Sequence, residues 1–103
     1  MTLRVLREAE EDISEAARWY EKVSPDLAAR FLVEVGDGLA LIERHPRRFG
    51  RPPTYRGKQE IRRYLLPSFK YMIVYQFLPE ALLAICVVHC GRNPRHWKKR
   101  VQR

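Results

Sequence analysis

The sequence predicts an α+β domain, and three observations carry that prediction. Two consecutive stretches near the N-terminus place apolar residues at helical spacing; three later runs have β character; the helical and strand segments are grouped rather than alternating. The element order is β-α-α-β-β-β, with the helix pair packed on one face of the sheet. At 103 residues there is room for one core, so the chain reads as a single domain, 1–103.

Leu3-Arg4-Val5-Leu6 is a short apolar run read as a first strand, free to join the sheet. A helix follows over Arg7–Lys22, where Ala9, Ile13, Ala16, Ala17 and Tyr20 form one apolar stripe. Glu8, Glu10, Glu11 and Asp12 crowd its first turn, a favourable place for negative charge against the helix dipole. Ser24-Pro25-Asp26 begins a second helix, with Ser24 expected to cap free amides and Pro25 at the first helical position. Leu27, Phe31, Val35, Leu39 and Ile42 line its inner side, and it ends near Arg44 before His45-Pro46. Gly36 and Gly38 weaken this helix by roughly 1 kcal/mol each, marking either close packing or a weak spot.

Residues 45–59 contain three prolines, two glycines and no acid, and read as a basic loop. Three strand runs follow, Glu60–Leu66, Tyr71–Leu78 and Ala81–Cys90, with breaks short enough for antiparallel hairpins. In the middle run Tyr71, Ile73, Tyr75 and Phe77 share one face, and Met72, Val74 and Gln76 the other. The last run is apolar on both faces and is the expected central strand. Residues 95–103 form a basic tail.

Charge is the most informative global property. The net charge is +8, yet residues 1–43 hold ten acids and five bases (net −5), whereas residues 44–103 hold two acids and fifteen bases (net +13). Such segregation points to a polyanionic partner, nucleic acid or an acidic protein segment. No apolar run approaches a membrane span, and the N-terminus lacks an apolar signal core, so a cytoplasmic location is expected. Cys86 and Cys90 lie about 13 Å apart along one strand, too far for a disulfide, and read as small buried hydrophobes.

Several chemistries have no support in the sequence. There is no glycine-rich phosphate loop, no CxxC or HxxxH spacing and no nucleophile motif, so neither cofactor nor metal is expected. What remains is a basic set with interleaved aromatics. Arg62 and Arg63 fall on opposite faces of their strand and are either phosphate contacts or ordinary edge charges. His89, at the end of the last strand, suits acid–base work near neutral pH or a structural bond to backbone. Tyr71 can transfer a proton or cover the sheet, and Trp97 can stack on a base or pin the tail to the core. Arg47, Arg48, Arg51, Arg56 and Lys58 of the loop, with Lys98, Lys99 and Arg100 of the tail, are candidate contacts to nucleic acid or another target.

Trp19-Tyr20-Glu21, Pro25, residues 30–35, Leu39, Ile42, His45-Pro46, residues 61–63, residues 69–75 and residues 89–97 together resemble the RelE/ParE superfamily, in order and spacing across nearly the whole chain. These are toxins of bacterial type II toxin–antitoxin systems, often described as plasmid stabilisation proteins. The resemblance implies a helical hairpin packed on a curved antiparallel sheet, and a cognate antitoxin protein. It also implies one of two activities. RelE-like members cleave mRNA on the ribosome without metal, with basic residues on the concave sheet face and an acid or base near the end of the last strand. Arg62 or Arg63, Tyr71, His89 and Arg92 fill those places here by position. ParE-like members bind and block DNA gyrase, which needs no acid–base pair. The His89, Arg92, Pro94, Trp97 ending is similar to the ParE-like branch, so gyrase inhibition is the expected activity and mRNA cleavage the alternative.

Overall fold

Each apolar stripe folds as the helix its period requires, and each β run as a strand. The computed structural model describes residues 1–103, with β1 (Thr2–Val5), α1 (Arg7–Val23), α2 (Pro25–Arg44), β2 (Ile61–Leu65), β3 (Tyr71–Phe77), β4 (Ala81–His89) and a single turn, α3 (Arg95–Lys98). Ser24 is the one residue between the long helices, but its hydroxyl caps nothing. Its backbone makes the joint instead: the amide donates to the Tyr20 carbonyl (2.9 Å) and the carbonyl accepts from the Ala28 amide (3.2 Å).

The sheet order is β1-β4-β3-β2. Strands β2, β3 and β4 are antiparallel as expected, while β1 lies parallel to β4, so the sheet is mixed. Between Val74 and Tyr75 the register with β4 slips: Val74 pairs with Cys86 and Tyr75 with Ala84, leaving Ile85 as the extra residue of a β-bulge. The bulge changes the phase of the side chains. Leu82 and Ala84 point to the helices before it and Val87 after it, whereas Leu83, Ile85, Cys86 and Val88 point to the other face. His89 thereby lands on the helix side, opposite Tyr71 of β3.

The core has two layers. On the helix side Phe31, Val35, Ile42, Ile73, Tyr75 and Leu82 pack together. On the far side Ile61, Met72, Val74, Ile85 and Val88 are closed over by Trp97, with Tyr55 and Val101 against them. Buried Gln76 clamps the tail: its Nε2 donates to the Gln102 carbonyl (2.7 Å), and the Gln102 amide donates to its Oε1 (2.8 Å).

The two helix glycines have different causes. A Cβ on Gly38 would meet the Tyr64 ring at 2.7 Å and Ile73 at 3.0 Å, whereas one on Gly36 would meet nothing within 4 Å. Gly36→Ala is therefore expected to stabilise the protein by about 1 kcal/mol through helix propensity. Gly38→Ala gains the same propensity but forces the packed Tyr64 ring to move, and overpacking of this kind costs about 1–3 kcal/mol. Urea denaturation should show stabilisation for the first and net destabilisation for the second.

Candidate functional site

Strand β1 ends where α1 begins, and beyond Ala84 the exposed edge of β4 needs other partners. Arg100 Nη1 donates to the Ile85 carbonyl (3.0 Å) and the Val87 amide donates to Asp12 Oδ2 (3.1 Å). Asp12 and Arg100 also bind each other through two contacts, 2.7 and 3.2 Å, with both side chains only 11% exposed. The hydrogen bond it donates to Asp12 raises the Arg100 pKa further, so this cation is permanent.

His96 completes the brace. Arg100 Nη2 lies 3.3 Å from His96 Nε2, and since a guanidinium only donates, Nε2 accepts and the ring is neutral. Burial, with help from the Arg92 and Arg100 charges, lowers the His96 pKa, so its 3.8 Å approach to Asp12 is not an ion pair at neutral pH. The unfolded chain keeps the ordinary value of 6.5 and takes up the proton more readily. Stability is thus fully present above that pH and falls as pH drops through the window below it. Melting temperatures measured across this range should fall in the wild type and fall less in His96→Gln.

Above this brace opens a cleft of about 540 Å³ between α1 and the end of β4. Its walls are aromatic: Trp19, Tyr20, Tyr71 and His89, with Glu15 and Arg92 also lining it. Tyr71 and His89 are cross-strand partners whose rings meet edge to face at 5.5 Å. The Gly91 amide donates to His89 Nδ1 (3.1 Å), which leaves Nε2 as the ring's proton-bearing nitrogen. Burial raises the Tyr71 pKa against the pull of Arg92, and burial followed by Tyr71 raises that of Tyr20. Both phenols are therefore neutral at pH 7.

The structure thus brings together Tyr71, His89 and Arg92, and keeps Arg62 and Arg63 away from them. Arg62 sits across from Tyr75, about 13 Å along the sheet from Tyr71, bonded to Glu60 (3.1 Å) and to the Phe49 carbonyl (2.8 Å). Arg63 lies on the opposite face, 4.0 Å from the Met72 sulfur. One cation, not three, stands beside the Tyr71–His89 pair.

The remaining sequence candidates divide. Arg48, Arg51, Arg56, Lys58, Lys98 and Lys99 are exposed. Arg47 lies over the Phe77 ring at 4.4 Å and 3.7 Å from Glu60. Arg100 is consumed by the brace. Trp97 is fully buried, so it pins the tail and has no free face on which a base could stack. Cys90 is exposed rather than buried; Cys86 is buried, and its thiol is pushed up to about 12, which makes it inert. The sequence reading missed Asp12, Trp19, Tyr20 and His96 as members of the cleft. A tryptophan beside the apolar stripe of α1, 61% exposed in the fold, was the available signal.

These features define a small α+β domain with an aromatic cleft at the end of β4. The fold is similar to a solved structure described as "Chromosomal ParDE TA system from P. aeruginosa", with a TM-score of 0.75 at 15% identity over 86% of this chain and 95% of that one. No curated protein sequence matches the chain. Residues 3–94 match the family described as the ParE toxin of the type II toxin–antitoxin system, parDE, and the chain belongs to that family.

Proposed function

We propose that this protein is a growth-arresting toxin that binds and blocks DNA gyrase in the cytoplasm and is neutralised by a cognate antitoxin. The observation that carries this reading is the sheet face turned away from the helices. An mRNA-cleaving relative would need basic residues there; here Ile61, Met72, Val74, Leu83, Ile85 and Val88 fill it, and Trp97 covers it. The strand cations of that face are Arg63 and Arg4, one on each edge strand, rather than a cluster at its centre. The toxin then acts by binding, with Trp19, Tyr71, His89 and Arg92 as its contact surface. The likeness to a ParDE system supports the antitoxin partner.

Purified protein added to gyrase and relaxed plasmid is expected to inhibit supercoiling, and Arg92→Glu to weaken that inhibition at least about tenfold, the effect of roughly one lost charged contact. Folded protein that leaves supercoiling untouched overturns the reading. In cells, induction without antitoxin should stop DNA synthesis before protein synthesis; the reverse order, with cleaved mRNA, would transfer His89 and Arg92 to catalysis.

A further inference from the structure

The basic loop and the basic tail, more than forty residues apart in sequence, meet on the side of the molecule where Trp97 is buried. Lys98 Nζ donates to the Thr54 carbonyl (2.6 Å), and the Tyr55 and Trp97 rings lie 6.0 Å apart. Lys58, Lys98, Lys99 and Arg103 then line a single open concavity, and no acid lines it. All four are exposed. The nearby Glu60 carboxylate is occupied by Arg62 and Arg47.

Two absences among the lining residues decide the occupant. The exposed large apolar residues, Met1, Trp19, Val23, Leu32, Val33 and Leu65, all lie elsewhere, so the patch lacks the apolar centre of a protein interface. Tyr55 is half-buried and Trp97 fully buried, so no free ring is offered for stacking single-stranded bases. What is left is a set of point charges suited to the phosphates of a double helix.

We propose that the Lys58, Lys98, Lys99 and Arg103 surface binds the phosphate backbone of duplex DNA without reading its sequence. The choice of DNA over RNA rests on the gyrase reading above, since gyrase presents duplex DNA; the binding itself requires no gyrase. Lys98 is anchored on Thr54, so the other three cations supply the test.

Fluorescence anisotropy with a labelled random-sequence DNA duplex about two helical turns long measures binding as salt is raised from about 50 to about 200 mM. Four phosphate contacts predict a log–log salt slope of about −3 to −4. In the Lys58→Gln, Lys99→Gln, Arg103→Gln triple variant the slope should shrink to about −1, with affinity at about 50 mM salt reduced at least about tenfold. All three positions are exposed, and an unchanged melting temperature verifies the variant's fold. Salt-insensitive binding, an unchanged slope in the variant, tighter binding to the matching single strand, or displacement by polyglutamate at lower charge concentration than by DNA overturns the proposal. Preference for an RNA duplex overturns the choice of DNA. Supercoiling inhibition by wild type and variant, read separately, distinguishes failure of this surface from failure of the gyrase reading.

Discussion

Asp12→Ala is expected to cost about 3 kcal/mol or more, because it removes one partner of a largely buried ion pair and leaves the other uncompensated. Two groups lose their bonds together, the Arg100 guanidinium and the Val87 amide, and the guanidinium that donates to neutral His96 loses its anchor. An unpaired buried amide alone costs about 1–3 kcal/mol. In a domain of this size each kcal/mol lowers the melting temperature by about 4–8 °C, so a fall above about 12 °C is expected. Asp12→Asn keeps an acceptor for Val87 and should lose less. Pairing Asp12→Ala with Arg100→Met should recover part of the loss, since no charge is then stranded. A change within about 0.5 kcal/mol for Asp12→Ala, the range of an ordinary surface position, would remove the brace from the account of stability.

Trp97→Ala should be comparably severe, about 3–5 kcal/mol, since it empties the largest fully buried side chain and uncovers one face of the sheet. Trp97→Phe is the informative contrast. The indole Nε1 is buried without a hydrogen-bond partner, so phenylalanine loses volume but also removes an unsatisfied donor. The expected order of stability is wild type, then Phe close behind, then Ala far below, measured by urea denaturation. A Phe variant as unstable as Ala would show that indole volume, not the polar mismatch, governs the site.

Most of the fold was legible because its signals are local. The stripe from Ala9 to Tyr20, Pro25 at a helix start, His45-Pro46 at a helix end and the alternation of Tyr71–Phe77 each act within a few residues, and all four are found in place. Signals carried by distant residues were not legible. Asp12 reads as one more acid in a helix first turn, yet its carboxylate meets Arg100, separated from it by 88 positions. The bulge at Ile85 has no mark in an all-apolar strand, and it is what turns His89 toward Tyr71. Simple alternation from Leu82 would have put Cys90 there instead. The candidate site therefore emerged only in part: Tyr71, His89 and Arg92 came from their strand-end positions, while Trp19 and Tyr20 joined them through helix packing.

The pairing of β1 with β4 also governs when this protein can come into being. The first strand made has no partner until residues 81–84 exist, and Arg100 and Gln102, which follow them in the chain, fasten the result. A nascent chain on the ribosome can form its helical hairpin early, since those contacts are local, but it cannot close its sheet until residues 81–84 have emerged. A chain that lacks residues 100–102 loses partners of both Asp12 and Gln76, so it is expected to be less stable than one that includes them.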